Sequence, residues 1–226
     1  QATALDMKEL GMRPYVLQTV DRAMSKTKGI IITTGPTGSG KTTTLYSVLN
    51  KLNSADIKII TIEDPIEYHM EGVMQTQINT EEGYTFAAAM RSLLRQNPNV
   101  IMIGEIRDSE TAKIAIEAST TGHLVLSTIH ANSAAGAISR FSGLGVERQL
   151  LANSLNCSIG QRLVRRVCPH CKEEAAVPPE YRDEVDKVLA RMRQVQGLDI
   201  PATVKFYQGG GCQECSGLGY KGRVGL

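Results

Sequence analysis

The chain has 226 residues, 42% of them hydrophobic, and a formal net charge of +2. That length suits one large domain, or one domain with a small appendage, and the apolar fraction is enough for a sizeable core. The near-neutral balance gives no argument for a nucleic-acid or anionic-lipid surface, and no apolar run approaches the roughly 18 residues that span a bilayer.

Leu5 to Met24 reads as helical, with a break near Gly11 and Pro14. Lys28 to Thr34 is a short β-branched run closing on a glycine, the pattern of a buried strand. A helix follows from Lys41 to Leu52. Ile57 to Glu63 is a second buried strand, Val100 to Ile103 a third and Leu124 to Ile129 a fourth. Between them, Thr85 to Gln96 places Phe86, Met90, Leu93 and Leu94 on one helical face. Ser109 to Thr120 is a further helix, with Ser109 as its N-cap and Glu110 in the first turn. Such alternation predicts an α/β fold, a mostly parallel sheet flanked by helices on both faces.

Composition changes after Arg166. Pro178-Pro179, a charged helical stretch from Glu180 to Gln194 and Gly209 to Gly211 follow. Val185, Val188, Leu189 and Met192 share one side of that stretch, as expected of a small helix lying on another element. The expected division is a helical linker over 1–28, a core over 29–166 and a small subdomain over 167–226.

Gly35, Pro36, Thr37, Gly38, Ser39, Gly40, Lys41 and Thr42 spell G-x-x-x-x-G-K-[ST], followed by Thr43. The motif lies between a predicted strand and a predicted helix, the context a phosphate loop requires. Glycines let backbone N–H groups converge on an anion, and the helix N-terminus adds partial positive charge. Lys41 is the candidate for the β- and γ-phosphates, and the Thr42 hydroxyl for Mg²⁺.

The second strand ends in TIEDPIEY, which crowds Glu63, Asp64 and Glu67 together. Acids at the carboxyl end of a sheet strand, where open α/β sheets bind ligands, suit a cation or a polarised water. The alternative for the same residues is a solvated acidic turn around Pro65. The third strand closes on IMIGEIRD; Gly104 stands where such runs commonly carry Asp, and Glu105 is the candidate for holding Mg²⁺ through water. For Arg107 and Asp108 the alternative to a site role is a surface ion pair, the reading preferred for Asp108. The fourth strand ends at His130, placed to hydrogen-bond a γ-phosphate, whereas His123 before it reads as a structural histidine.

Four cysteines form two C-x-x-C pairs, Cys168/Cys171 and Cys212/Cys215, separated by residues 172–211. Four thiolates so arranged can bind Zn²⁺ tetrahedrally, with redox chemistry as the alternative. His170 reads as a bystander, and Cys157 as a buried small apolar residue.

These motifs, in the order GPTGSGKT, TIEDPIEY, GEIRD and GHLVLSTIH, and then the tetracysteine module, resemble the secretion-type AAA-like ATPases that power type II secretion and type IV pilus assembly. The resemblance runs from about Gly29 to the end of the chain. It implies a RecA-like core that hydrolyses ATP with Mg²⁺ and assembles as a homohexamer. It implies Glu67 as the residue that polarises the attacking water, assisted by Glu63 and Asp64. It also implies a cytoplasmic location against the inner membrane, with an inner-membrane platform protein and cytoplasmic assembly proteins as partners. On the same ground the chain is expected to be a central fragment, its N-terminal domain and later helices lying outside it, with completing arginines supplied from elsewhere. Arg91, Arg95 and Arg107 are local candidates for phosphate or interface contacts, a plain surface role being the alternative. Two other readings stay open: a nucleic-acid translocase on the same core, disfavoured by 4% aromatic residues and no Trp, and a fragment that binds nucleotide without efficient turnover.

Overall fold

A computed structural model describes residues 6–195 and 200–225. The predicted Leu5 and the rest of residues 1–5 lie outside them. Residues up to Leu163, together with Gly225, belong to one compact unit, and Val164–Val224 to a second.

The first unit is built on a parallel sheet of six strands: β1 (Gly29–Thr34), β2 (Ile59–Glu63), β3 (Val73–Gln77), β4 (Val100–Ile103), β5 (Leu124–Ile129) and β6 (Leu155–Gly160), in the order β3-β2-β4-β5-β1-β6. β1, β2, β4 and β5 are buried at every position, as their near-continuous Ile/Val/Leu runs require of strands covered on both faces. The sequence pattern did not reveal β3 and β6. β3 reads VMQTQ and sits at one edge with half-exposed residues, and β6 reads LNCSIG at the other. Edge strands bury too little to carry an apolar signature.

Strand alternation divides the core between the two faces. Ile30, Ile32, Ile60, Ile62, Ile101 and Ile103 pack with α3 (Phe86–Leu94), α4 (Ser109–Thr120), α5 (Gly136–Gly143) and α6 (Arg148–Ser154). Ile31, Ile59, Met102 and Leu126 face α1 (Pro14–Met24) and α2 (Lys41–Leu52), which contribute Val20, Ala23, Leu45, Val48 and Leu49. Each fully buried Ile or Leu stabilises by roughly 1.5–3 kcal/mol. Pro at the first turn of α1 explains why that helix begins at Pro14 and not earlier.

Two local expectations are corrected. Asp108, not Ser109, caps α4: its Oδ1 accepts from the Thr111 amide at 2.8 Å and its Oδ2 from the Thr111 hydroxyl at 2.8 Å. Asp108 is therefore committed to capping, and Arg107 pairs with Glu105 instead. A carboxylate at a helix N-terminus satisfies donors that a surface ion pair would leave to water.

The second unit holds two small two-stranded sheets, β7 (Leu163–Val167) with β10 (Tyr220–Gly225) and β8 (Lys172–Ala175) antiparallel to β9 (Phe206–Gly209), and helix α7 (Arg182–Arg193). On α7 Val185, Leu189 and Met192 are half-buried, while Val188 is 47% exposed. Cys168 and Cys215 are its buried centre.

Among the described residues, no helix is long and apolar enough to cross a membrane.

Candidate functional site

Because the sheet is wholly parallel, all its strands end at the same edge. The loops after β1, β2, β4, β5 and β6 therefore converge there, and they carry Gly35–Lys41, Asp64–Glu67, Glu105, His130 and Gln161 respectively. That edge is where open α/β sheets bind ligands.

The phosphate loop enters α2 through Gly40 in the left-handed region at φ 83°, which turns the following amides toward the helix axis. Pro36, Thr37 and Gly38 are exposed, while Ser39 is buried and its hydroxyl has no hydrogen-bond partner among the described residues. The Lys41 ammonium donates to the carbonyls of Gly35 at 3.1 Å and Pro36 at 3.0 Å, spanning the mouth of the loop. Burial lowers the Lys41 pKa below its ordinary value, and the Glu105 carboxylate opposes that shift. An unpartnered buried hydroxyl and a lysine folded on loop carbonyls both fit a loop shaped for phosphate. Thr42 and Thr43 follow in the first turn of α2, both half-buried.

Glu105 is largely shielded, with a side chain 14% exposed, and stands between two side chains: the Arg107 guanidinium on one oxygen and His130 Nε2 at 3.4 Å from the other. The Glu105 contact holds the Arg107 guanidinium in its charged form. Two hydrogen bonds tie this turn to β5, Thr128 Oγ1 to Gly104 O at 2.9 Å and Ile106 N to Thr128 O at 2.9 Å. A Cβ on Gly104 would lie 3.4 Å from the Ile62 carbonyl, so β2 runs close beneath. His123, by contrast, sits at the other end of β5, with Nδ1 2.7 Å from Pro98 O.

The acidic turn separates its carboxylates. Asp64 and Glu67 are exposed, whereas Glu63 is 2% exposed and accepts from Tyr46, Thr61 and Gln75. Arg91 does not face these groups; it pairs with Glu110 on the helical surface.

Gln161 escaped the sequence reading. It is 7% exposed, and its Oε1 accepts from Thr44 Oγ1 at 2.9 Å, its Nε2 donates to Gly40 O at 3.3 Å and its backbone N–H to Thr34 O at 2.8 Å. Arg162 then donates to the carbonyls of Gln161 at 3.0 Å and Asn132 at 2.6 Å, joining the phosphate loop to the segment after His130. Nothing in the local sequence marks Gln161, because Thr44 and Gly40 are more than a hundred positions away. A cavity of about 220 Å³ opens beside Thr44 and Gln161 and is walled by Leu10, Met12, Arg13 and Val16.

In the second unit the four cysteine sulfurs lie within 4.8 Å of one another, with Cys168–Cys212 at 3.9 Å, Cys171–Cys215 at 3.8 Å and Cys212–Cys215 at 3.7 Å. A tetrahedron with about 2.3 Å Zn–S bonds has edges of about 3.8 Å, so the set could hold zinc without rearrangement. The amides of Cys212 and Gly219 donate to Cys215 Sγ, both at 3.2 Å, and pull its pKa down to about 6, the Cys212 amide foremost. Cys157 is not part of this set; it is half-buried on β6 in the first unit, and burial pushes its thiol up.

The family of type II/IV secretion system proteins matches residues 1–226. The type II secretion system protein E of Klebsiella pneumoniae is 49% identical over 222 residues, 98% of this chain and 42% of the relative. The type IV pilus assembly ATPase PilB of Thermus thermophilus is 47% identical over 221 residues, 98% of this chain and 24% of the relative. Among solved structures, the pilus retraction motor PilT with bound ADP aligns at TM-score 0.65 and 37% identity, over 75% of this chain and 51% of that one. The chain thus spans less than half the length of these curated relatives.

Proposed function

The chain belongs to the type II/IV secretion system protein family, and on that premise we propose that it is the ATP-hydrolysing core of a hexameric motor. The motor works on the cytoplasmic face of the inner membrane, with a membrane platform protein and cytoplasmic assembly proteins, to drive type II secretion or type IV pilus assembly. Residues 29–166 make the ATPase core and 167–226 the metal module in this reading.

ATP is the substrate. The amides of Gly35–Thr43 and the positive end of α2 cradle its phosphates, and Lys41 exchanges its loop carbonyls for phosphate oxygens. Thr42 and Glu105 would hold Mg²⁺, which supplies charge neutralisation at the β- and γ-phosphates. Glu67, exposed on the acidic turn, orients and polarises the attacking water. His130 donates to the γ-phosphate and, through its contact with Glu105, reports whether that phosphate is present. The cavity beside Gln161 receives the base. The four cysteines hold a structural zinc.

One observation carries this reading: Lys41, Glu105 and His130 end at a single sheet edge, with Glu105 in contact with His130 and acting electrostatically on Lys41. ATP turnover by the full-length protein tests it, with Lys41→Ala and Glu105→Ala as variants. Wild-type turnover lost in both supports the assignment; unchanged turnover in either one refutes it.

A further inference from the structure

Three carboxylates lie within the acidic box, but only one of them is dry. Strand alternation puts Thr61 and Glu63 on the side of β2 that faces α2, and there Glu63 is closed off from solvent. One of its oxygens accepts from the Tyr46 hydroxyl. The other accepts from the Thr61 hydroxyl and from Gln75 Nε2, the latter at 3.1 Å. A carboxylate has about four acceptor sites, and here three donors, two of them on buried residues, take three of those sites. Such a group has little capacity left for a metal ion, and a polar group buried this deeply is kept only with partners of this kind.

Those partners all lead to the acidic turn. Gln75 donates to Tyr68 O at 3.1 Å and accepts from the Met70 amide at 2.8 Å, closing the turn at two points. Tyr46 is fully buried, and its ring lies 4.3 Å from that of Tyr68, tilted by 43°. Tyr46 itself stands on α2, one turn beyond Lys41 and Thr42. A continuous chain of contacts therefore runs from the phosphate-loop helix through Tyr46, Glu63 and Gln75 to the segment that carries Glu67.

We propose that Tyr46, Glu63 and Gln75 form a buried strut that holds residues 64–72 at a fixed place relative to the phosphate loop. Glu63 is thus a positioning residue that touches neither nucleotide nor metal. Burial, and then the bond to Glu63, push the Tyr46 phenol well above its ordinary pKa, so it remains a donor throughout the working pH range. The kinetic part of this inference rests on the ATPase reading above; the structural part does not.

The test uses full-length protein carrying Tyr46→Phe, which removes one oxygen, and Glu63→Gln, which keeps the shape. Turnover should fall about 5- to 20-fold in Tyr46→Phe, while ATP-analogue affinity and the Mg²⁺ concentration for half-maximal rate move less than about twofold. Adding Tyr46→Phe to Glu67→Gln should slow the enzyme no further, because the strut acts through Glu67. Amide exchange across 64–72 should accelerate by about tenfold in both strut variants. Unchanged exchange in that segment overturns the proposal. So does a Mg²⁺ requirement that rises about tenfold in Glu63→Gln but not in Tyr46→Phe, since Glu63 would then be a metal contact. If the wild-type protein hydrolyses no ATP, the ATPase reading fails, and the exchange measurement alone decides the strut.

Discussion

His130 and Glu105 meet across neighbouring strands, with Nε2 of the histidine 3.4 Å from one carboxylate oxygen while Arg107 holds the other. The carboxylate thus has two side-chain partners, one of them the Arg107 guanidinium, and metal binding must compete with them. Replacing Glu105 by Gln keeps its shape and removes its charge. The expected outcome is retained ATP-analogue binding with turnover lowered by about 10²–10³, the range seen when a transition-state contact is lost. His130→Ala should reduce turnover less, by about tenfold, with little change in affinity. Steady-state kinetics beside equilibrium binding separates the two effects. Equal losses of binding and rate would count against these roles.

Lys41 gives a signed pH prediction. Its pKa lies below the ordinary lysine value because of burial, and Glu105 partly restores it. Phosphate binding requires the charged form, so affinity is present at neutral pH and lost as pH rises through the Lys41 value. Glu105→Gln removes the restoring charge, so the alkaline loss of ATP-analogue binding should move to lower pH. Lys41→Ala should abolish that limb together with most of the affinity. An alkaline limb that stays in place in Glu105→Gln would contradict the electrostatic coupling of the two residues.

The legible and illegible parts of the fold differ by burial and by sequence distance. β1, β4 and β5 announced themselves because every position is buried and β-branched or aliphatic residues dominate. α2 was legible because the phosphate loop fixes its start. β3 was not, since an edge strand with Gln75, Thr76 and Gln77 looks like a loop until its partner is known. The phosphate-loop residues, Glu105 and His130 could be picked out because each ends or follows a strand. The burial that sets Glu63 apart from Glu67 could not, because it depends on Tyr46 and Gln75 arriving from two other elements. Asp108 and Ser109 compete for one cap, and composition cannot choose between adjacent residues that both favour it.

Gln161 should matter for stability as well as for nucleotide. Its side chain satisfies Thr44, which is fully buried in α2, and also reaches Gly40 O. Gln161→Ala strands the Thr44 hydroxyl, at a cost of about 1–3 kcal/mol. Urea unfolding of the first unit should show that loss. A change below about 0.5 kcal/mol would mean that water replaces the amide without penalty.

Gly35 is constrained from two directions. Its φ is 148°, and a Cβ would lie 2.4 Å from Gln161 O and 2.5 Å from Ser39 Oγ. The carbonyl is backbone and cannot swing away. Gly35→Ala should therefore displace β6 or the loop itself, destabilising the unit by roughly 1–3 kcal/mol and weakening ATP-analogue binding more than tenfold. Gly38→Ala is the control for the space at least, since a Cβ there meets nothing within 4 Å. Comparable clashes in crystal structures of both variants would remove the basis for the prediction.

Zinc is the last test, and it is separable from the nucleotide chemistry. The Cys212–Cys215 and Cys171–Cys215 separations, 3.7 and 3.8 Å, match the edge of a zinc–thiolate tetrahedron of about 3.8 Å. Reduced protein should carry one zinc per chain. Small metal-built units draw about 10–16 kcal/mol of apparent binding free energy from the ion, and the second unit has few other fully buried apolar side chains to replace it. Chelation, or Cys215→Ser, should therefore open residues 164–224 to proteolysis. The first unit has its own two-faced core, so its thermal transition and its ATP-analogue affinity should change by less than about twofold in binding constant. Metal analysis finding no zinc in reduced protein would leave the four thiols to redox chemistry. Loss of nucleotide binding on chelation would show that the two units do not keep their functions apart.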